Sequence, residues 1–208
     1  MTFNDQPNAY QMNQNWIHFE KSIDTSKKEF QWGFVTDSIV PGTDARYTII
    51  RGLFNGQQGD YQFDLYQFYG QVFLPNLGGE GTTIKFGRFQ TIIGYELVQA
   101  PETPFVSKAY LFQYNPFTHF GAIATTQIND TWSVSNGLTT GADTFIDPAN
   151  RLTYLGQIRW APPEGKTSVA FNCMVTNPKY DTAEEFAFYN VYNILITHQC
   201  TDALTYEI

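Results

Sequence analysis

The stretch "PFTHFGAIATTQINDTWSVSNGLTTG", residues 116–141, decides the fold, because two alternating segments flank a very tight turn at Asn129 and Asp130. Period-two alternation of apolar and polar side chains is typical of a β-strand whose two faces meet different surroundings. The stretch therefore predicts a β-hairpin with one apolar and one polar face. The predicted apolar face holds Phe120, Ala122, Ala124, Ile128, Trp132, Val134 and Leu138, and the polar face holds His119, Gly121, Thr125, Gln127, Ser133, Ser135, Gly137 and Thr139.

Segments of similar length and alternation recur on both sides of this hairpin. A membrane-spanning strand needs roughly 9 to 11 residues, whereas an ordinary strand has about 5 or 6. The segments have the membrane-spanning length. We predict ten strands, over residues 10–22, 29–38, 61–74, 82–91, 117–128, 131–141, 152–161, 166–176, 188–200 and from Leu204 onward.

The predicted connections alternate between short and long without exception. The short ones are "DTSKKE", "PNLGGEG", "ND", "PPEGK" and "TDA", and the long ones cover residues 39–60, 92–116, 142–151 and 177–187. Outer-membrane barrels have short periplasmic turns and longer extracellular loops, whereas a Greek-key sandwich has no reason to sort its loops in this way. The pattern predicts an all-β, antiparallel up-and-down transmembrane β-barrel, with about ten strands of a larger barrel present in this chain.

The composition supports a barrel with apolar side chains on the outside and polar side chains on the inside. Charged residues make up 15% of the chain and aromatic residues 17%. A membrane barrel turns apolar side chains toward lipid and polar ones toward a water-filled lumen, with aromatic girdles at both interfaces, which accounts for both values. The net charge of -8 and the scattered Lys and Arg argue against a nucleic-acid partner.

Polar residues on the predicted inner face are candidates for lining the lumen. The alternative role for these side chains is hydrogen bonding between strands inside a filled barrel, and alternation alone does not separate the two. The candidates are Gln14, His18, Glu20, Gln67, Gln71, Gln157, Arg159, Asn172 and Asn193.

Catalytic and metal sites are not favoured by the sequence. His18 and Glu20 share a face and Asp37 follows in the next strand, so an acid–base pair is conceivable. A pore requires the same polar residues, and we therefore predict no enzymatic activity. The histidines lie on separate predicted strands and the cysteines match no metal-binding spacing, so we also predict no metal and no cofactor.

The connection over residues 92–116 is longer than neighbouring strands require. It carries Glu96, Glu102 and Lys108 among prolines and aromatic residues. Barrels with pores can fold a long loop into the lumen, where its charges set the electric field. We predict that this loop narrows the pore and that Glu96 and Glu102 favour cations. The alternative is an ordinary exposed loop.

Several stretches also resemble a known family. "NQNWIHFEKSIDTS", "IKFGRFQTIIGYELVQAPETPFVSKAY", "NPFTHFGAIATTQINDTWSVSNGLTTGADTF" and "RLTYLGQIRW" are similar to the BBP2-like outer-membrane β-barrel porins of planctomycete-type bacteria. The most specific part is the ordered series "IIGYE", "AP" and "PFTH". The resemblance implies an outer-membrane barrel and passive solute passage, and it supplies no substrate and no catalytic residues.

Together these patterns predict a porin-like protein of the bacterial outer membrane, with outer-membrane lipid and small hydrophilic solutes or ions as partners and homo-oligomerisation left open. The first predicted connection is short, where a barrel starting on the periplasmic side would have a long loop, and the chain stops within a strand pattern. We therefore expect residues 1–208 to form a single domain truncated at both ends, from a barrel of at least 12 strands. The alternative is a soluble β-sandwich acting as a carbohydrate-binding module.

Overall fold

The described residues form a single antiparallel sheet in which the strands follow one another in sequence order. The computed structural model describes residues 3, 8–103, 108–147, 151–176 and 190–208. The strands are β1 (Trp16–Lys21), β2 (Gln31–Gly42), β3 (Gln62–Leu74), β4 (Gly81–Gln90), β5 (Thr118–Gln127), β6 (Trp132–Thr139), β7 (Thr153–Trp160), β8 (Thr167–Thr176), β9 (Val191–Thr201) and β10 (Leu204–Glu207). This arrangement confirms the predicted number of strands and their up-and-down order.

Helical structure in the described ranges is short. Within these ranges there is one α-helix, α1 (Ala45–Thr48), and there are 3-10 helices at Thr25–Lys27, Ala100–Glu102 and Tyr110–Tyr114. None of the described helices has the length and apolarity of a membrane-spanning helix. The strands and the connections between them therefore determine the architecture.

The sheet is open at its edges, and its first strand is shorter than predicted. Within the described residues β1 pairs with β2 alone and β10 with β9 alone, so the predicted antiparallel up-and-down sheet is present but is not closed into a barrel. The first strand begins at Trp16 rather than at residue 10. Before Trp16 the chain makes irregular backbone bonds, such as Val40 N to Asn15 O at 2.8 Å and Thr43 N to Met12 O at 3.2 Å. Pro41 has no N–H with which to continue a regular ladder.

The connections confirm the predicted alternation as far as the structure describes them. Those after β1, β3, β5, β7 and β9 are short and lie at one end of the sheet, whereas the described ones after β2, β4 and β6 are long and lie at the other. The predicted long loop over residues 177–187 lies outside the described residues.

The register divides the sheet into two chemically different faces. We call the face of Gln67, Ser135 and Asn172 the inner face and the opposite face the outer face. Many outer-face side chains are large, apolar and exposed, whereas inner-face side chains are mixed and largely buried. Soluble antiparallel sheets instead bury the apolar face and expose the polar one. Exposed outer-face residues include Phe19 (63%), Phe86 (65%), Leu138 (54%), Tyr192 (64%) and Ile194 (59%).

The hairpin of β5 and β6 follows its predicted pattern, with exceptions such as the polar Thr126 and Asn136 on the outer face. Phe120 shares a face with Leu138, and Thr125 with Ser135, as the alternation indicates. Ile123, which has no place in the predicted polar face, lies on the inner face opposite Gly137. It is 4% exposed and belongs to an inner apolar cluster, defined by Phe89, Ile93, Ile123, Leu155 and Met174.

The inner apolar cluster shows that the sheet curves around its inner face. Phe89 comes from β4, Leu155 from β7 and Met174 from β8, and these side chains can form one cluster only if separate strands turn toward each other. Ile93, which is 2% exposed, belongs to the connection after β4. A residue of this long connection therefore packs inside the curve of the sheet.

Gly87 of β4 meets a close approach of the neighbouring strand. Its φ of +134° lies in the region that favours glycine. A Cβ at this position would lie 2.2 Å from Phe68 O and 2.7 Å from Tyr69 Cα, both on β3. The β3 backbone can therefore keep its distance from β4 only if residue 87 has no side chain.

We expect Gly87→Ala to lower the free energy of unfolding by about 2 kcal/mol or more, since an unfavourable φ alone costs about 1–3 kcal/mol. Urea unfolding in lipid vesicles, followed by tryptophan fluorescence, measures this loss. Gly70→Ala on β3 is the matched control, because a Cβ there meets nothing within 4 Å. Equal losses in the two variants would contradict the steric explanation.

Candidate functional site

The long connection between β4 and β5 lies against the inner face of the sheet. We call residues 91–117 the inner loop, of which 104–107 lie outside the described residues. Ile93 belongs to the inner apolar cluster, and Val98 and Phe112 form a second cluster with Tyr66 of β3. Val98 is 1% exposed and Phe112 4% exposed. The loop is thus anchored at several points along its length.

Hydrogen bonds fasten the inner loop to the first part of the chain. Gln14 Nε2 donates to Val98 O at 2.9 Å, and Gln14 Oε1 accepts from Ala100 N at 3.0 Å. Gln99 Nε2 donates to Gln90 Oε1, at the end of β4, at 3.2 Å. Gln14 therefore holds the loop in place. It lies before β1 and does not line an open lumen, although the alternation predicts that it does.

Glu96 and Lys108 stabilise the inner loop from within. The Glu96 carboxylate accepts from Ala109 N at 2.9 and 3.2 Å. The Lys108 ammonium donates to Leu97 O, and its Nζ lies 5.0 Å from the centroid of the Phe112 ring. Partial burial lowers the pKa of Lys108, against the opposing effect of the Glu96 charge. These contacts give the loop a defined conformation.

The inner loop also reaches the last strand. Partial burial and, next, a hydrogen bond to Glu207 of β10 raise the pKa of Tyr95. Gln14 contacts the same loop immediately before β1. The loop therefore makes contacts near both edges of the sheet and crosses the space in front of the inner face.

A cavity of about 420 Å³ lies between the inner loop and the inner face of β1 to β4, and we call it the inner cavity. The strands contribute polar side chains and two aromatic ones, and the loop contributes an amide, a proline and a carboxylate. The inner cavity is lined by Trp16, His18, Glu20, Val35, Asp37, Gln67, Tyr69, Gln90, Gln99, Pro101 and Glu102.

A hydrogen-bonded network forms the strand side of the inner cavity. His18 Nδ1 is bonded to the Asp37 carboxylate, and His18 Nε2 lies 3.3 Å from Glu20 Oε2. Gln67 Nε2 donates to the other oxygen of Asp37 at 2.5 Å, and Gln67 Oε1 accepts from Gln90 N at 3.0 Å. Both Asp37 oxygens are therefore occupied, whereas Glu20 has one long contact to the imidazole. The network can hold a proton between carboxylates and attract positive charge.

Three of the remaining pore-lining candidates form a row of interstrand hydrogen bonds. Gln157 of β7 donates to Asn172 of β8 at 2.8 Å, and Asn172 donates to Asn193 of β9 at 3.0 Å. The register places them directly opposite one another. Asn172 is 1% exposed, so its amide bonds to its neighbours and does not meet a wide lumen.

The structure therefore separates the predicted site residues into groups. His18, Glu20, Gln67 and Glu102 meet at the inner cavity. Gln71 is buried on the inner face opposite Gly33 and Lys85, away from the cavity lining. Arg159 is exposed, two residues nearer the short-turn end than Gln157.

Sequence reasoning did not select Trp16, Tyr69, Gln90 or Gln99. Trp16 and Tyr69 follow the same alternation as His18 and Gln67, and this shared alternation is the signal that could have placed them on the inner face. Gln90 and Gln99 carried no such signal, because one ends a strand and the other lies in a loop. In the described part of the chain, no group of three or more His, Cys, Asp or Glu side chains could hold a metal ion.

Comparison with protein families gives a match over residues 1–208 to the family described as "Putative beta-barrel porin-2, OmpL-like". The matched range includes all ten strands, the inner loop and the inner cavity. Neither the curated proteins nor the solved structures give a match.

Proposed function

Since the chain belongs to this β-barrel porin family, we propose that it is a non-enzymatic porin of the bacterial outer membrane that lets small hydrophilic solutes or ions pass along its inner face. The observation that carries the proposal is the inversion of the sheet. Apolar residues such as Phe86, 65% exposed, lie on the outer face, and buried polar residues such as Asn172 lie on the opposite, inner face. Lipid on one side and a polar path on the other satisfy both faces.

The same inversion argues against a soluble carbohydrate-binding sandwich. A sandwich buries apolar side chains between two packed sheets. The part of the chain that the structure describes has one ten-stranded sheet, and large apolar side chains are exposed on its outer face. Extraction from membranes separates the two functions, since the porin requires detergent and its gel mobility shifts on boiling, whereas the sandwich is released by buffer.

We propose further that the inner loop narrows the path and that Glu102 favours cations there. Glu102 lines the inner cavity together with Glu20 and Asp37, so three carboxylates surround the same space. Glu96 acts differently, because its carboxylate accepts from the Ala109 amide and holds the loop. Glu102 therefore acts through the electric field of its charge, and Glu96 acts by holding the loop in place.

We expect Glu102→Gln to lower the ratio of potassium to chloride permeability about tenfold, since a unit charge roughly 6 Å from the ion contributes about 0.7 kcal/mol in water, with opposite signs for the two ions. Reversal potentials across planar bilayers in a salt gradient measure the ratio. Glu164→Gln, in the exposed turn between β7 and β8, removes the same charge away from the cavity and should leave the ratio unchanged. Absence of conductance would contradict the porin function, and an unchanged ratio would contradict the role of Glu102.

A further inference from the structure

We infer that the inner cavity is a binding site for a small organic cation bearing an ammonium or guanidinium group. The inference rests on the proposed function, because it names the class of solute that the path would retain. It depends on three independent features of the cavity lining: excess negative charge, an unpaired acceptor and aromatic walls. Each feature favours a positively charged hydrogen-bond donor.

Charge is the first feature. The carboxylates of Glu20, Asp37 and Glu102 line the inner cavity, and His18 is the titratable base among the lining residues. Asp37 is already bonded to His18 and Gln67, which leaves Glu20 and Glu102 to meet a ligand. Lys85 also lies nearby, with its ammonium 4.8 Å from the centroid of the Tyr69 ring. The carboxylates outnumber these bases, so an anionic solute is disfavoured.

The second feature is an acceptor without a donor. Gln99 Oε1 is buried and has no hydrogen-bond partner, while Gln99 Nε2 already donates to Gln90. The amide of Gln67 is occupied on both atoms, by Asp37 and by the Gln90 N–H. The lining therefore contains one buried acceptor without a donor, and buried acceptors are normally satisfied. A ligand N–H group that reaches Gln99 satisfies it.

The third feature is the pair of aromatic walls. Trp16 Nε1 donates to Gln14 Oε1 at 2.8 Å, so the indole of this lining residue has no further N–H to donate to a ligand. The Lys85 ammonium already lies over the ring of Tyr69. Aromatic faces attract ammonium and guanidinium groups, most strongly when the groups are desolvated. The carboxylates and the aromatic residues of the lining thus recognise the same charge.

Size sets the upper limit of the ligand. A volume of about 420 Å³ falls within the range of small-molecule sites. It accommodates a short diamine or a guanidinium-amine and excludes a peptide of several residues. Agmatine, with one guanidinium and one ammonium on a four-carbon chain, is therefore a suitable test ligand.

Isothermal titration calorimetry of the folded chain in detergent micelles tests the inference independently of conductance. Agmatine should bind, and Glu20→Gln and Glu102→Gln should each raise its Kd about tenfold. Gln99→Leu, which removes the acceptor without changing charge, should raise the Kd several-fold. Glu164→Gln is the matched charge control and should leave the Kd unchanged. The mobility shift on boiling verifies that each variant is folded.

The outcomes separate the site from the porin function. Wild-type protein that conducts ions but does not bind agmatine would overturn the site and leave the porin function intact. Agmatine binding that depends on Glu20 and Glu102, in a protein without conductance, would support the site and overturn the porin function. Glucose binding as tightly as agmatine would replace the cation site with a site for neutral polyols. Agmatine binding unaffected by the glutamate substitutions would overturn the inference, because these carboxylates would then not recognise the cation.

Discussion

Replacing Arg88 by Met should cost the folded state about 3–5 kcal/mol, the usual effect of removing one partner of a buried ion pair. Arg88 and Asp64 are both 0% exposed. The guanidinium donates to Asp64 Oδ1 at 2.6 Å and Oδ2 at 3.2 Å, to Leu65 O and Thr48 O at 2.6 Å, and to Thr118 Oγ1 at 3.0 Å. Without Arg88, the Asp64 carboxylate stays buried and loses its counter-charge.

Urea unfolding in lipid vesicles measures the loss, and a double variant identifies its origin. Arg88→Met combined with Asp64→Leu should recover much of the stability, because no charge is then left buried. Arg159→Gln removes an exposed arginine and serves as the control. A single Arg88 variant with the wild-type unfolding midpoint would contradict a stabilising role for the pair.

The second large effect concerns the anchoring of the inner loop. Ile93→Ala should weaken the contact between the loop and the inner face by about 2–4 kcal/mol, since truncating a buried isoleucine removes apolar contacts and leaves a cavity. The loop should then move out of the proposed solute path along the inner face for part of the time. We expect higher single-channel conductance and weaker cation preference, because Glu102 moves away together with the loop.

Two measurements check this prediction in the same sample. Bilayer recordings report conductance, and trypsin cleavage after Lys108 reports release of the loop. Ile146→Ala truncates the same residue type at a position 59% exposed and should change neither. If Ile93→Ala leaves both measurements at the wild-type level, Ile93 does not hold the inner loop in the path.

The strands and their faces could be predicted from the sequence because the relevant signal is local. Period-two alternation depends on neighbouring residues, and it predicts the shared face of Thr125 and Ser135 and of Gln157 and Asn172, which the register confirms. The sorting of short and long connections is equally visible along the chain. These patterns determined the up-and-down order and the inner position of residues such as His18 and Gln67.

Exceptions to the alternation needed tertiary information. By register Arg88 pairs with Phe68 and Phe120 of the outer face, a position where a charge is unfavourable. In the structure it is buried and bonded to Thr48 O of α1 and to Asp64. Nothing in the residues next to Arg88 indicates that partners 24 and 40 positions away would cover its charge.

The amino-acid sequence alone determined that this protein is an antiparallel sheet with one apolar and one polar face, because those properties repeat every second residue. The tertiary structure alone decided that Ile93 packs inside the curve, that Gln14 holds Val98 across 84 positions, and that a cavity forms between the inner loop and the wall. Such contacts depend on how far the sheet curves and where a long loop returns, and both follow from packing between distant segments, which a local pattern does not encode.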